Sequence, residues 1–244
     1  MELKVIGSGS QGNSYILTNG TNVLLIELGV NFKRIKKALD FNILNVDGAL
    51  VSHIHSDHSK AIKDAIECGI DVYSGAETIE ATGLKNHRLK IVKAKKSYTI
   101  GSFKVMPFEL RHDVACFGFI IKHQDCGNVV FITDTYYSPF RFKDVNQWII
   151  EANYSQSILD GKEGYGNQND FLRNRVISSH LSIENCSSLL DANDLSTTNN
   201  IVLTHLSDRN SNATEFKETI QNQTGKTVSV AETGLTINFK KRPF

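Results

Sequence analysis

A mixed α/β (α+β) fold is what this 244-residue sequence predicts. Short apolar runs bounded by turn residues recur along the chain and read as strands, while other stretches carry apolar residues at helical spacing. A third observation joins these elements. Strand after strand ends in a histidine or an acid: His53 and His55, His112, Asp134, Glu151, His205. Side chains at the ends of neighbouring strands converge on one edge of a sheet, the usual place for a site in a layered α/β protein.

Taken in order, residues 3–6, 14–17 and 22–26 read as strands. The turns between them are Gly-Ser-Gly-Ser-Gln-Gly-Asn at 7–13 and Asn19-Gly20, a hairpin signal. The first loop can expose backbone N–H groups to an anion; a plain flexible turn is the alternative. Phe32, Ile35 and Leu39 lie at helical spacing among lysines, so 31–40 reads as an amphipathic helix. Residues 48–51 form a buried strand, 59–69 a helix stopped by Gly69, 71–74 a strand and 77–82 a short helix ended by Gly83. From 89 to 108 the pattern is strand-like, and 117–121 with 129–132 make a hairpin that delivers Asp134. An acid after an apolar strand cannot be core filler without a partner. Trp148 to Asn153 is a further apolar strand, with Glu151 near its end. Residues 183–190 and 213–221 read as helices, and 201–207, 228–231 and 235–237 as strands.

The totals bound the function. The length fits one large domain or two small ones, and a single domain over 1–244 is expected. With 40% hydrophobic residues a substantial core is available. A net charge of +1 gives no global footprint for a polyanion. Clusters at Lys33-Arg34-Lys36-Lys37 and Lys93-Lys95-Lys96 read as solvated faces or local basic patches. No apolar run is long enough to span a membrane, and Met1 to Ile6 reads as a strand rather than a signal peptide. Cys68, Cys116, Cys126 and Cys186 have no Cys-x-x-Cys spacing and read as reduced thiols of a cytoplasmic protein.

The chemistry concentrates in Val-Ser-His-Ile-His-Ser-Asp-His at 51–58. His53 and His55 point the same way on an extended segment. Asp57 and His58 follow where the chain bends and a helix begins. Two nearby clusters of donors suit two metal ions rather than one, and imidazole with carboxylate is a ligand set that zinc, manganese and iron accept. A chance cluster of surface histidines is the bland alternative.

His53-x-His55-x-Asp57-His58 resembles the signature of the metallo-β-lactamase superfamily, in the branch that hydrolyses phosphodiesters. The likeness extends through His112, Asp134 and His205 over nearly the whole chain. It implies an αββα sandwich of two mixed sheets with helices on the outer faces. It also implies two divalent metal ions, zinc with manganese as the alternative. His53, His55 and His112 would hold one ion, Asp57, His58 and His205 the other, and Asp134 would bridge them. Where the family usually has Asp-x-Gly, this chain has Glu27-Leu28-Gly29, a longer acid at a position that supports the histidines.

Glu151 and His180 resemble the acid–histidine pair of tRNase Z-type phosphodiesterases and of the bacterial YycJ/WalJ group. The resemblance makes His180 the proton donor to the leaving oxygen, oriented by Glu151, with Asp57 counted as catalytic as well as ligating. Substrate contacts are expected from Ser8 and Ser10 of the glycine–serine loop, from Ser207, and from Tyr136 or Tyr165 stacking on a base. His87 and His123 match no motif and read as ordinary loop and strand-face residues.

The near-neutral charge and the lack of an inserted domain or basic arm favour a small substrate. Compact relatives that destroy the cyclic mononucleotides of phage defence (cCMP, cUMP) make a cyclic-nucleotide phosphodiesterase the first expectation. A WalJ-like nuclease on DNA or RNA ends is the alternative. A homodimer is expected too, its partner loop closing the pocket.

Overall fold

The structure, a computed structural model, describes residues 1–161 and 167–242. The first part of the chain forms β1 (Glu2–Gly7), β2 (Ser14–Thr18), β3 (Val23–Ile26), α1 (Phe32–Ala38) and β4 (Val46–Leu50). It continues with α2 (Ser56–Ser59), α3 (Ile62–Glu67), β5 (Val72–Ser74), α4 (Ala76–Ala81) and β6 (Leu89–Ile91). The next stretch supplies β7 (Tyr98–Ile100), β8 (Phe103–Leu110), β9 (Cys116–His123), β10 (Gly127–Ile132) and β11 (Val145–Glu151). Then come α5 (Gln156–Asp160), α6 (Asn167–Ser179), α7 (Ile183–Asp191), β12 (Asn200–Thr204), α8 (Ala213–Thr224), β13 (Thr227–Val230) and β14 (Thr236–Asn238).

Two mixed sheets result, ordered β14-β1-β2-β3-β4-β5-β6 and β13-β12-β11-β10-β9-β8-β7. In the first, β14, β1, β2 and β3 pair antiparallel and β3 to β6 parallel. In the second, β7 to β10 pair antiparallel and β10 to β13 parallel. Apart from β14, which returns from the far end of the chain to pair with β1, hairpins make the antiparallel halves; parallel neighbours need crossovers, and helices supply most of them.

Side-chain alternation sorts each strand into two faces. Leu24 and Ile26 enter the core between the sheets with Phe103, Phe119, Phe131 and Ile149, while Leu25 turns outward to meet Phe32 of α1 and Ile62 of α3. On the other side Trp148 and Ile150 pack against Cys186 and Leu190 of α7 and Phe216 of α8. Helix, sheet, sheet, helix is therefore the layer order, the sandwich that the resemblance implies. The parallel strands β4, β11 and β12 end at one rim of the sandwich, and there the functional loops begin.

Two local departures from the sequence reading bear on the site. The helix expected over 59–69 starts only at Ile62, and a separate short helix, α2, precedes it; Ala61 donates its N–H to the carbonyl of Leu28 (2.8 Å) rather than along a continuous helix from α2. The break lets α2 carry Asp57 and His58 at its own angle. Also, α5 was not legible in the apolar pattern: only Leu159 is buried on it. His87 is exposed, and His123 is buried against the Ser102 hydroxyl (2.9 Å), both as ordinary structural residues. Tyr165 lies outside the described residues.

Candidate metal centre

Each donor stands just beyond a strand. β4 leads into the loop with His53 and His55 and then α2 with Asp57 and His58; β8 leads to His112, β10 to Asp134, β12 to His205. One ligand atom from each of His53, His55, His112 and Asp134 falls within 4.8 Å of the others. The same holds for Asp57, His58, Asp134 and His205. Asp134 thus stands between two clusters, its Oδ2 at 3.5 Å from His53 Nε2, 3.4 Å from His58 Nε2 and 3.7 Å from His112 Nε2.

The ring nitrogens of His53 and His112 that face away from Asp134 are hydrogen-bonded, and that of His58 faces a carboxylate. His53 Nδ1 meets the Ser52 hydroxyl at 2.8 Å, His112 Nδ1 donates to the Ser179 carbonyl at 2.9 Å, and His58 Nδ1 faces Glu27 Oε2 at 3.5 Å. Such outer contacts fix the tautomer and turn the other nitrogen's lone pair inward. His53 Nε2 is buried and has no hydrogen-bond partner among the described residues. A buried imidazole nitrogen without a partner, set among three further imidazoles and a shared carboxylate, fits a divalent cation and little else.

Glycine makes the close packing behind the centre possible. A Cβ on Gly29 would sit 1.6 Å from the Asp57 carbonyl oxygen, and that oxygen accepts from Asn13 N at 2.7 Å. Glu27 is wholly buried, its Oε2 3.5 Å from His58 Nδ1 and accepting from the N–H of Ser52 (3.3 Å), so the longer acid stands directly behind the donor cluster. Glu27, Asp134 and His205 all have positive φ (65°, 41° and 55°). Non-glycine residues rarely adopt that backbone, at a cost of order 1–3 kcal/mol each, and it collects at functional sites.

A third cluster stands beside the other two. Glu151 Oε1 lies 2.8 Å from His180 Nδ1 and 2.9 Å from His205 Nδ1, while its Oε2 accepts from the N–H of Leu181 and Thr135 (3.0 and 3.2 Å). These are hydrogen-bond distances. Glu151 is wholly buried, and His180 keeps its Nε2 for the open side.

Electrostatics in the absence of metal follow from this crowding. Burial opposes a charged His58, but Asp134, Glu27 and Asp57 outweigh it and hold the ring well above the ordinary histidine range. His205 is raised for the same reason, by Asp134, Asp57 and Glu151 against burial. Burial prevails at His53 and His112, which are lowered. Asp134 and Glu151 are buried yet lowered, the first by His205 and His58 and the second by His180.

The centre opens into a cavity of about 390 Å³. Ser10 and Ser207 line it, as do Asp57, His180 and His205. Ser8 does not: its hydroxyl accepts from the backbone N–H of His205 (2.9 Å) and from Tyr15 (3.0 Å), so it braces a donor from beneath. Tyr136 is also absent from the lining, its carbonyl tied to Asn185 Nδ2 at 3.1 Å. Among the described residues, Ser10 and Ser207 are thus the two expected substrate-contact residues on this cavity wall.

Three residues went unassigned from sequence. Asp113 Oδ1 lies 3.0 Å from His112 Nε2 and 3.5 Å from His55 Nε2; its place directly after His112 was the available signal. Asn13 Nδ2 sits 3.1 Å from His58 Nε2. Arg175 lines the cavity from α6, and nothing in the sequence pattern marked it.

Comparison with known proteins agrees with this geometry. Residues 7–140 match the family profile described as the metallo-beta-lactamase superfamily. The chain is 28% identical to the exodeoxyribonuclease WalJ of Streptococcus pneumoniae, over 97% of this chain and 91% of that protein. Among solved structures, the metallo-beta-lactamase fold protein YhfI of Bacillus subtilis superposes with a TM-score of 0.71 at 17% identity, covering 97% of this chain and 99% of that one. Human tRNase Z, short form, does so with a TM-score of 0.64 at 15% identity, covering 98% and 99%.

Proposed function

This chain belongs to the metallo-β-lactamase superfamily, and from that premise we propose that it is a phosphodiesterase dependent on two divalent metal ions, acting on the ends of DNA. The observation that carries the phosphodiesterase reading is Glu151 Oε1 holding His180 at 2.8 Å beside the two clusters that share Asp134. A proton donor next to paired cation sites is what phosphodiester hydrolysis requires: charge neutralisation on phosphorus and a proton for the leaving oxygen.

His53, His55 and His112 would hold one ion, Asp57, His58 and His205 the other, with Asp134 shared. Divalent ions held there would supply Lewis-acid chemistry: charge neutralisation at the phosphoryl oxygens and a more acidic water. Zinc fits the imidazole-rich set, and manganese is the alternative. The chain's own groups do the rest. Glu151 accepts from His180 Nδ1, which fixes the ring's orientation. His180 Nε2 then gives its proton to the departing oxygen. Ser10 and Ser207 line the cavity wall and would bind the sugar–phosphate.

The 28% identity to WalJ, which runs over 97% of the chain, supports DNA as substrate. A cyclic mononucleotide, the first expectation from the sequence, is the other reading, supported by the net charge of +1. A cytoplasmic homodimer belongs to the same reading; no helix among the described residues is long and apolar enough to cross a membrane.

The test is one panel: metal-loaded protein with end-labelled single- and double-stranded DNA, end-labelled RNA and a set of cyclic mononucleotides. Stepwise release of nucleotides from a DNA end supports the first reading. Turnover of cyclic nucleotides alone replaces it with the second, and no turnover of any phosphodiester overturns both.

A further inference from the structure

α6 delivers Arg175 to the metal cavity. Arg175 and Ser179 are four residues apart and share a helix face, as do Val176 and His180 one position on, and all four line the cavity. Histidines aside, Arg175 is the one basic lining residue among the described residues, against Asp57, Asp113 and Asp134. It is exposed and makes no ion pair among the described residues. An arginine beside three acids that pairs with none of them is available to an incoming anion.

Its position says which anion. The scissile phosphate belongs to the shared carboxylate and the histidines around it. Arg175 stands instead on the helix that leads into His180, the side from which the leaving oxygen takes its proton. A group departing past Arg175 brings a second negative charge only if it carries a phosphate of its own. The leaving nucleotide of a strand does; the leaving oxygen of a cyclic mononucleotide stays on the same sugar and brings none. Guanidinium matches phosphate with paired N–H donors. One such arginine on a chain of net charge +1 is suited to a single flanking phosphate rather than a long backbone track.

We infer that Arg175 is a specificity-determining residue that binds the phosphate next to the scissile one on the leaving-group side, selecting strand ends over cyclic mononucleotides. This rests on the phosphodiesterase reading of the metal centre.

The experiment compares d(TpT), d(TpTpT) and bis(p-nitrophenyl) phosphate as substrates of the metal-loaded protein. Wild type is expected to show a KM about tenfold lower on d(TpTpT) than on d(TpT), the worth of one charged hydrogen-bonded contact. Arg175→Gln removes that advantage and leaves d(TpT) and bis(p-nitrophenyl) phosphate unchanged; Arg175→Lys restores part of it. The salt dependence of log KM on d(TpTpT) falls by about 0.7 in slope for the lost phosphate contact. Equal KM values on the two oligonucleotides in wild type, or an equal loss on all three substrates in Arg175→Gln, would overturn the inference. If wild type hydrolyses none of them, the phosphodiesterase reading has failed, and calorimetric binding of the two oligonucleotides decides separately. Tighter binding of d(TpTpT) that Arg175→Gln abolishes upholds the contact; no difference refutes it.

Discussion

Glu151 and His205 are joined by a 2.9 Å hydrogen bond at the same carboxylate oxygen that holds His180. One buried acid therefore steers both a residue placed to ligate and a residue placed to move a proton. The two functions separate by mutation. His180→Ala should lose roughly 10²–10⁴-fold in kcat, the contribution of a general acid, and keep its metal. Glu151→Gln should lose kcat and also bind metal about 10–100-fold more weakly, as expected when the partner of a ligating histidine is changed. Metal titration beside steady-state kinetics reads both. Metal loss in His180→Ala would mean that His180 ligates.

Metal loading should release protons. Without metal, His58 and His205 are held above the ordinary histidine range by Asp134 and its acidic neighbours, which favours the charged ring. A ligating imidazole must be neutral. The stabilisation these raised groups give the metal-free fold is present below about pH 6.5, the unfolded value, and fades as pH rises through the raised folded values. Calorimetry of zinc binding in buffers of different ionisation enthalpy should show heats that vary with the buffer. Heats independent of buffer would show the two rings already neutral.

Gly29→Ala tests the packing behind the centre. Its Cβ would fall 1.6 Å from the Asp57 carbonyl oxygen, and backbone must move to make room. Overpacking of this kind costs about 1–3 kcal/mol or more. The variant should melt lower and, because α2 carries Asp57 and His58, retain less metal. Unchanged melting and metal content would show that the loop yields freely.

Thiol reactivity should divide sharply. Cys68 is exposed, whereas Cys116, Cys126 and Cys186 are buried. Burial pushes the Cys126 thiol up to about 12 and raises Cys116 and Cys186 as well, leaving little thiolate at neutral pH. One thiol should react quickly with a disulfide reagent in the native protein, and the other three only after unfolding.

The donors were legible because strand periodicity and a dense His/Asp string both survive in sequence: residues 51–58 announce themselves, and Asp134 follows an apolar strand it cannot belong to. The bracing of Ser8 under His205 was not, since 197 positions separate them and only the folded chain brings them together. Arg175 escaped for another reason. A lone arginine on a polar helix has no pattern, and its meaning comes entirely from the cavity it faces. The break between α2 and α3 was hidden because Ala61 is an excellent helix former; a tertiary bond to Leu28 overrides its propensity.

The central claim is that Asp134 joins two metal ions in one centre. Elemental analysis of protein purified without chelator tests it most directly, with Asp134→Ala alongside. Two divalent ions per chain in the wild type, and loss of both in the variant, is the predicted result. A single ion per chain that survives Asp134→Ala would contradict it.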